Sequence, residues 1–226
     1  LQPLLTEGLI TEEECVSLRD LPRDYVDYGA LYCEIWPILH LAYDRFKSSK
    51  KKQLLDYGTV AEFRKNHGHW LEDYVLFISL KESFGGECWL KWPSEYRDAH
   101  IAKSTELSSS VKNTADAHVF FQYIFYAQLA KLRAYAGSQG VEIMGDAPIC
   151  VALDSSDVWA NSELFQIKKN GKPKAVAGVP PDYFAVDGQL WGNPLYDWAI
   201  HEQTGFAWWI QRIRSNLEFY DIVRLD

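Results

Sequence analysis

The strongest constraint on this chain is a unit that occurs twice in its carboxyl-terminal half: an amphipathic helix, a short loop, an apolar strand and an aspartate. In the first copy Phe121, Phe125, Leu129, Leu132 and Ala136 recur at steps of four, four, three and four, which is the spacing of one helical face. Gly137 and Gly140 predict the helix end, and Val141, Ile143 and Met144 predict a strand reaching Gly145-Asp146. In the second copy Phe206, Trp209, Ile210, Ile213, Leu217 and Tyr220 mark the helix face, and Ile222 to Leu225 the strand, followed by Asp226. Helices that alternate with short buried strands predict a parallel α/β sheet.

Between the copies lies a long insertion, residues 150–205. Asn170-Gly171, flanked by Leu164 to Lys168 and Lys172 to Val176, predicts a two-residue hairpin. Asp187-Gly188 is a second turn signal, and Pro180-Pro181 and Asn193-Pro194 stiffen the segment. A long loop in a compact domain usually carries function. Residues 1–112 read as a separate, mostly helical part. Thr11 and Glu14 form a capping box, Asp27 to Phe46 predicts a long amphipathic helix, and Trp70 to Glu82 a second one closed by Gly85-Gly86. Lys47 to Lys52 and Ser108 to Ser110 read as loops. The expected organisation is therefore a helical part, 1–112, and an α/β part, 113–226, that contains the insertion.

Charge narrows the function. The net charge of −8 and a pI near 5.3 argue against a nucleic-acid partner. The longest run free of Asp, Glu, Lys and Arg, Ala117 to Ala130, falls short of the roughly 20 apolar residues a spanning helix needs. No basic segment precedes an apolar one at the start, so no secretory signal is expected. Cys15, Cys33, Cys88 and Cys150 are far apart, which predicts reduced thiols and a cytoplasmic setting. The chain opens on Leu1 without a Met and closes on a strand, so an internal piece of a longer protein is expected. Aromatics reach 15%, with 9 Trp; this suits either sugar binding or large aromatic cores.

In a parallel barrel the active site lies at the carboxyl ends of the strands, where Asp146 and Asp226 both fall. Such acids also cap helices. Arg224, two residues before Asp226, shares its face; a cation there keeps a carboxylate ionised, although a structural ion pair is the alternative. There is no G-x-S-x-G, no Walker loop and no G-x-G-x-x-G. His67 and His69 lack a partner at metal spacing and read as surface residues.

Five runs in order carry a resemblance: Gly145 to Ile149 (GDAPI), Ala152 to Trp159 (ALDSSDVW), Ala177 to Phe184 (AGVPPDYF), Gly188 to Tyr196 (GQLWGNPLY) and Val223 to Asp226 (VRLD). Together with Val26 to Gly29 and Trp70 to Tyr74, they resemble the 4-α-glucanotransferases, or amylomaltases, of glycoside hydrolase family 77. The resemblance covers the whole chain but somewhat under half of a family member. It implies a (β/α)8 barrel whose third strand ends at Asp146 and fourth at Asp226, with residues 1–112 as an inserted helical subdomain. It implies Asp226 as nucleophile and Arg224 as its supporting arginine. Asp146 joins the substrate-binding set, with Asp182 on a loop over bound glucan and Gln189, Trp191 and Asn193 lining the sugar groove. Ala147, Cys150 and Leu225 are mild departures. The acid/base Glu and a second clamping Asp would lie outside residues 1–226. Neither metal nor organic cofactor is implied, and the partners are maltooligosaccharides and α-1,4-glucans. A hydrolase of the same barrel class, or a chain that only binds glucan, is the alternative.

Overall fold

The computed structural model describes residues 1–54 and 56–226. In chain order the described helices are α1 (Gln2–Thr6), α2 (Val16–Arg19), α3 (Tyr28–Ser48), α4 (Val60–Ser83), α5 (Ser94–Arg97), α6 (Ala99–Ser104), α7 (Ser109–Ser138), α8 (Ser156–Ala160), α9 (Trp198–Gln203) and α10 (Ala207–Leu217). The strands are β1 (Met144–Ala147), β2 (Val176–Val179), β3 (Gln189–Pro194) and β4 (Ile222–Leu225). The chain forms two compact units, Leu1–His69 with Asp116–Gln128 and Trp70–Ala115 with Leu129–Asp226.

In the first unit the capping box is present: Glu14 accepts the Thr11 N–H at 2.8 Å, and Thr11 accepts the Glu14 N–H at 3.4 Å. It opens a 3₁₀ turn, Glu13–Cys15, that leads into α2. Arg45 forks onto Glu14 at 2.7 and 2.6 Å, and this pairing holds the Glu14 carboxyl down to about 2. Helix α3 starts where Asp27 accepts the Ala30 N–H at 2.9 Å. It runs past Phe46 to Ser48, so Lys47 and Ser48, expected in a loop, are helical. Phe46 stacks on Phe120 of α7 at 4.8 Å. The buried Tyr123 hydroxyl donates to the Leu54 carbonyl at 2.6 Å and accepts the Leu54 N–H at 2.7 Å.

Two helix expectations need correction. Helix α4 begins ten residues before Trp70, because Thr59 and Glu62 form a second capping box: Glu62 accepts the Thr59 N–H at 2.8 Å and donates its own to Thr59 at 3.1 Å. Gly85 and Gly86, at φ 64° and 82°, close it. The stripe read on α7 is also displaced. Phe120, Phe121, Tyr123, Ile124, Tyr126 and Ala127 are all buried, whereas Phe125 and Leu132 are exposed. The middle of α7 is buried nearly all round, which a one-face pattern does not describe. Ser109 and Ser110, read as loop, are its first residues; Ser108 caps it by accepting the Val111 N–H.

In the second unit an aromatic core joins Phe77, Trp92 and Trp159, with ring centroids 5.4–6.1 Å apart. Three of the nine Trp, Trp89, Trp92 and Trp159, are thus buried in the core. The insertion is ordered rather than a loop, since it contains α8, β2, β3 and α9. The hairpin expected at Asn170-Gly171 is reduced to a turn with one bridge, Ile167 to Pro173, since the Gln166 N–H goes to the Leu195 carbonyl at 2.7 Å and Val176 pairs with Pro194. The extended hairpin is instead β2–β3, antiparallel with an irregularity at Val176/Gly178. Gly188, at φ 72°, ends its connection; a Cβ there would lie 2.6 Å from the Val179 carbonyl oxygen.

Strands β1 and β4 pair in parallel, as the repeated unit predicts, in the register Met144 to Ile222 through Ala147 to Leu225. Strand β1 starts later than expected, at Met144, and includes Ala147, and the strands expected to be buried are largely open, with Met144 64% and Leu225 48% exposed. No described helix is long and apolar enough to cross a membrane.

Candidate active site

The register sets Asp146 directly beside Arg224, so both side chains leave the same face of the two-stranded sheet. The guanidinium uses its fork on Asp146, with Nε 3.0 Å from Oδ1 and Nη2 2.5 Å from Oδ2. The same Nη2 donates to Asp226 Oδ2 at 2.7 Å. One cation therefore binds two carboxylates. Sequence reasoning paired Arg224 with Asp226 alone; the stronger, bidentate partner is Asp146. Its hydrogen bonds from Arg224 hold the Asp146 carboxyl below its ordinary value, while the two aspartates raise Arg224. The cluster is open, with side-chain exposures of 57% for Arg224, 55% for Asp146 and 68% for Asp226. Chemically it offers an ionised carboxylate to a reaction centre. Asp146 is no acid here, because a group held deprotonated has no proton to give.

Distant residues fix these strand ends. Gly145 must lack a side chain, since a Cβ there would run into the Tyr220 ring. At the start of β4, Asp221 accepts the Ile143 N–H at 2.9 Å and a hydrogen bond from Arg133 Nη2 at 2.9 Å. Beyond β1, Arg212 lies over the faces of Trp208 and Trp209, at 5.2 and 5.4 Å, and donates to the Pro148 carbonyl at 2.8 Å. The Tyr196 hydroxyl donates to the Ile149 carbonyl at 2.5 Å, and burial pushes this phenol up to about 12. Sequence reasoning missed Arg133, Arg212 and Asp221. Arg133 and Asp221 are 88 residues apart, and no local pattern announces such a pair.

The remaining candidates lie on the β2–β3 hairpin. Gln189 Oε1 accepts the Trp191 indole N–H at 3.0 Å, and Trp191 is 53% exposed. Asn193 turns to the protein, donating its amide to the Val151 carbonyl at 2.9 Å. Asp182 accepts the N–H groups of Phe184 and Ala185 at 2.9 and 2.8 Å, which folds the loop back on itself. Tyr183 and Phe184 stand out at its tip, 95% and 88% exposed. Among the described residues no hydrogen bond joins Asp182, Gln189 or Trp191 to the Asp146–Arg224–Asp226 cluster. No described group of three His, Cys, Asp or Glu is arranged to hold a metal ion.

Comparison with known proteins gives a consistent result. A 4-alpha-glucanotransferase from Thermus thermophilus is 41% identical over 226 residues, all of this chain and 44% of that protein. One from Aquifex aeolicus is 40% identical over 225 residues, again 44% of its length. A chloroplastic/amyloplastic one from Solanum tuberosum is 39% identical over 228 residues, 39% of its length. The solved amylomaltase from Streptococcus agalactiae, in complex with acarbose, superposes with a TM-score of 0.87 at 33% identity, covering 99% of this chain and 44% of that one. The chain thus spans under half the length of the relatives it matches. A family model described as 4-alpha-glucanotransferase, glycoside hydrolase family 77, matches residues 2–226, and the chain belongs to that family.

Proposed function

We propose that the protein is a 4-alpha-glucanotransferase that moves α-1,4-glucan segments to the 4-hydroxyl of an acceptor sugar with retention of configuration. The observation that carries this reading is the guanidinium shared by two carboxylates beside neighbouring parallel strands. On this reading β1 and β4 are the third and fourth strands of a (β/α)8 barrel. Residues 1–112 are the inserted helical subdomain, and 113–226 belong to the barrel with the insertion at 150–205.

Asp226 is the nucleophile. Its Oδ2 accepts from Arg224, which fixes the carboxylate while the other oxygen attacks the anomeric carbon. The bond to the leaving glucan oxygen breaks, and a covalent glycosyl-enzyme forms. Retaining chemistry needs a second carboxyl about 5–5.5 Å away that first gives and then takes a proton. Asp146 does not suit that task, because Arg224 keeps it ionised. It binds substrate hydroxyls instead, and the acid/base comes from outside residues 1–226. Asp182 shapes the loop that covers bound glucan. Gln189 and Trp191 present a polar group and a ring face to the sugar, and Asn193 holds the groove wall to Val151. Water exclusion by that loop favours the acceptor sugar. The four cysteines are free, in keeping with a cytoplasmic enzyme.

Incubation of the full-length protein with maltotriose tests the reading. Glucose together with maltotetraose and longer chains is expected. Glucose and maltose alone would mean a hydrolase and overturn it.

A further inference from the structure

We propose that Tyr196 and Arg212 are positioning residues for Asp226, which they hold through the main chain that follows β1; this rests on the reading of Asp226 as the nucleophile. The β1–β4 ladder continues one residue past β4. The Asp226 N–H donates to the Ala147 carbonyl at 3.1 Å, and the Asp226 carbonyl accepts the Ile149 N–H at 2.5 Å. Both main-chain groups of Asp226 are thus bonded to residues 147–149, in the manner of a parallel pair. Its side chain has less support. Among the described residues the carboxylate takes one donor, Arg224 Nη2, which also serves Asp146. Where residues 147–149 lie therefore decides where the free carboxylate oxygen points.

Side chains from far along the chain claim the carbonyls of that segment. Arg212 Nη2 donates to the Pro148 carbonyl at 2.8 Å, and the Tyr196 hydroxyl donates to the Ile149 carbonyl at 2.5 Å. Arg212 Nη1 in turn donates to the Tyr196 oxygen at 3.4 Å, which joins the two into one bracket. The bracket has a firm backing. Tyr196 is 6% exposed, and its ring packs on Phe165, Trp198 and Trp209 with centroids 5.2 Å away in each case. Arg212 lies over the rings of Trp208 and Trp209, which restricts the orientation of its planar cation.

The pair acts through the backbone alone. Among the described residues no hydrogen bond joins Tyr196 or Arg212 to the side chains of Asp146, Arg224 or Asp226. Burial pushes the Tyr196 phenol up to about 12, so this donor keeps its proton at neutral pH. A displacement of about 1 Å at a reacting atom costs about a hundredfold in rate. Loosening the bracket therefore slows attack by Asp226 and leaves sugar binding alone.

The test uses full-length Tyr196→Phe, which loses the hydroxyl and keeps the ring, and the pair Arg212→Lys and Arg212→Met. Tm, kcat and KM are measured with maltotriose and with α-maltotriosyl fluoride, whose leaving fluoride needs no proton. In Tyr196→Phe and Arg212→Met, kcat should fall about ten- to a hundredfold on both substrates, with KM within about twofold of the parent. Arg212→Lys, which keeps a donor for the Pro148 carbonyl, should recover part of that loss. A lower Tm with kcat per folded molecule unchanged means a merely structural role and overturns the proposal. A rise in KM at constant kcat overturns it too, since the pair then shapes the sugar groove. So does a loss confined to maltotriose, which assigns the pair to proton transfer. Should Tyr196→Phe fail to fold, the difference between Arg212→Lys and Arg212→Met decides. If the parent releases only glucose and maltose while the variants lose kcat as stated, the transfer reading falls and the positioning role stands.

Discussion

At the scale of single residues, the chemistry depends on how Arg224 divides its donors. Its fork grips Asp146, and one nitrogen reaches Asp226. Replacing Asp226 by Asn keeps the size of the side chain and leaves that fork intact, so the fold survives. An amide is no nucleophile, and the covalent route closes. Disproportionation of maltotriose by full-length Asp226→Asn should fall by about a thousandfold or more, with Tm and maltooligosaccharide binding retained. A mere ion-pair role predicts the reverse, and turnover at about a tenth of the parental rate removes Asp226 from the mechanism. A second residue-scale effect belongs to His201. It is wholly buried, with its ring 5.4 Å from both Tyr196 and Trp198, and burial pushes the imidazole below its ordinary value. The unfolded chain takes up a proton below about pH 6.5, where the folded one resists it. The stability this group contributes is thus complete above about pH 6.5 and is lost as pH falls. The Tm of the His201→Phe variant should therefore drop less than that of the parent between about pH 7 and pH 5.5. Equal drops would remove His201 from the acid response.

At the scale of elements, the β2–β3 hairpin separates a binding role from a packing role. Trp191 is half exposed and bonded within its own strand to Gln189, so its removal opens no core cavity. Trp191→Ala should weaken oligosaccharide use by roughly 1–3 kcal/mol, the scale of one lost aromatic platform. A fall in Tm with unchanged apparent affinity would make it a packing residue. The hairpin also marks where sequence reading worked and where it failed. The Asp187-Gly188 turn was legible because Gly188 needs a positive φ. The false hairpin at Asn170-Gly171 arose because local turn chemistry is right there, while its flanks pair elsewhere: the Gln166 N–H goes to Leu195, and Val176 joins Pro194. The Thr59–Glu62 capping box was a readable sign of the early start of α4, overlooked because polar residues around Lys65 and Asn66 mask the periodicity. Both ends of the β1–β4 ladder, and hence Asp146 and Asp226, were legible from a strand followed by an acid. The fork from Arg224 to Asp146 was not, since it depends on a register set 78 residues apart.

At the scale of the whole molecule, the proposed site sits on a two-stranded parallel sheet with exposed apolar side chains. The paired carboxylates share one guanidinium, and Arg224 holds Asp146 ionised, so on the proposed mechanism Asp146 is not the proton donor. The sheet beneath them has two described strands, β1 and β4. Met144 is 64% exposed on β1, and Ile222 and Leu225 on β4, and Ile210 and Leu217 on the neighbouring helix α10, are also open to water. Apolar strand faces and unpaired strand edges seek a partner. Two expectations follow for a polypeptide of residues 1–226 produced alone. It should bind the dye ANS and self-associate, and the addition of maltotriose should yield neither glucose nor maltotetraose. Turnover by this polypeptide would show that the acid lies within it, and would return Asp146 to consideration as the proton donor. Loss of turnover with no dye binding would mean that the sheet is adequately covered and that the missing acid alone limits the piece.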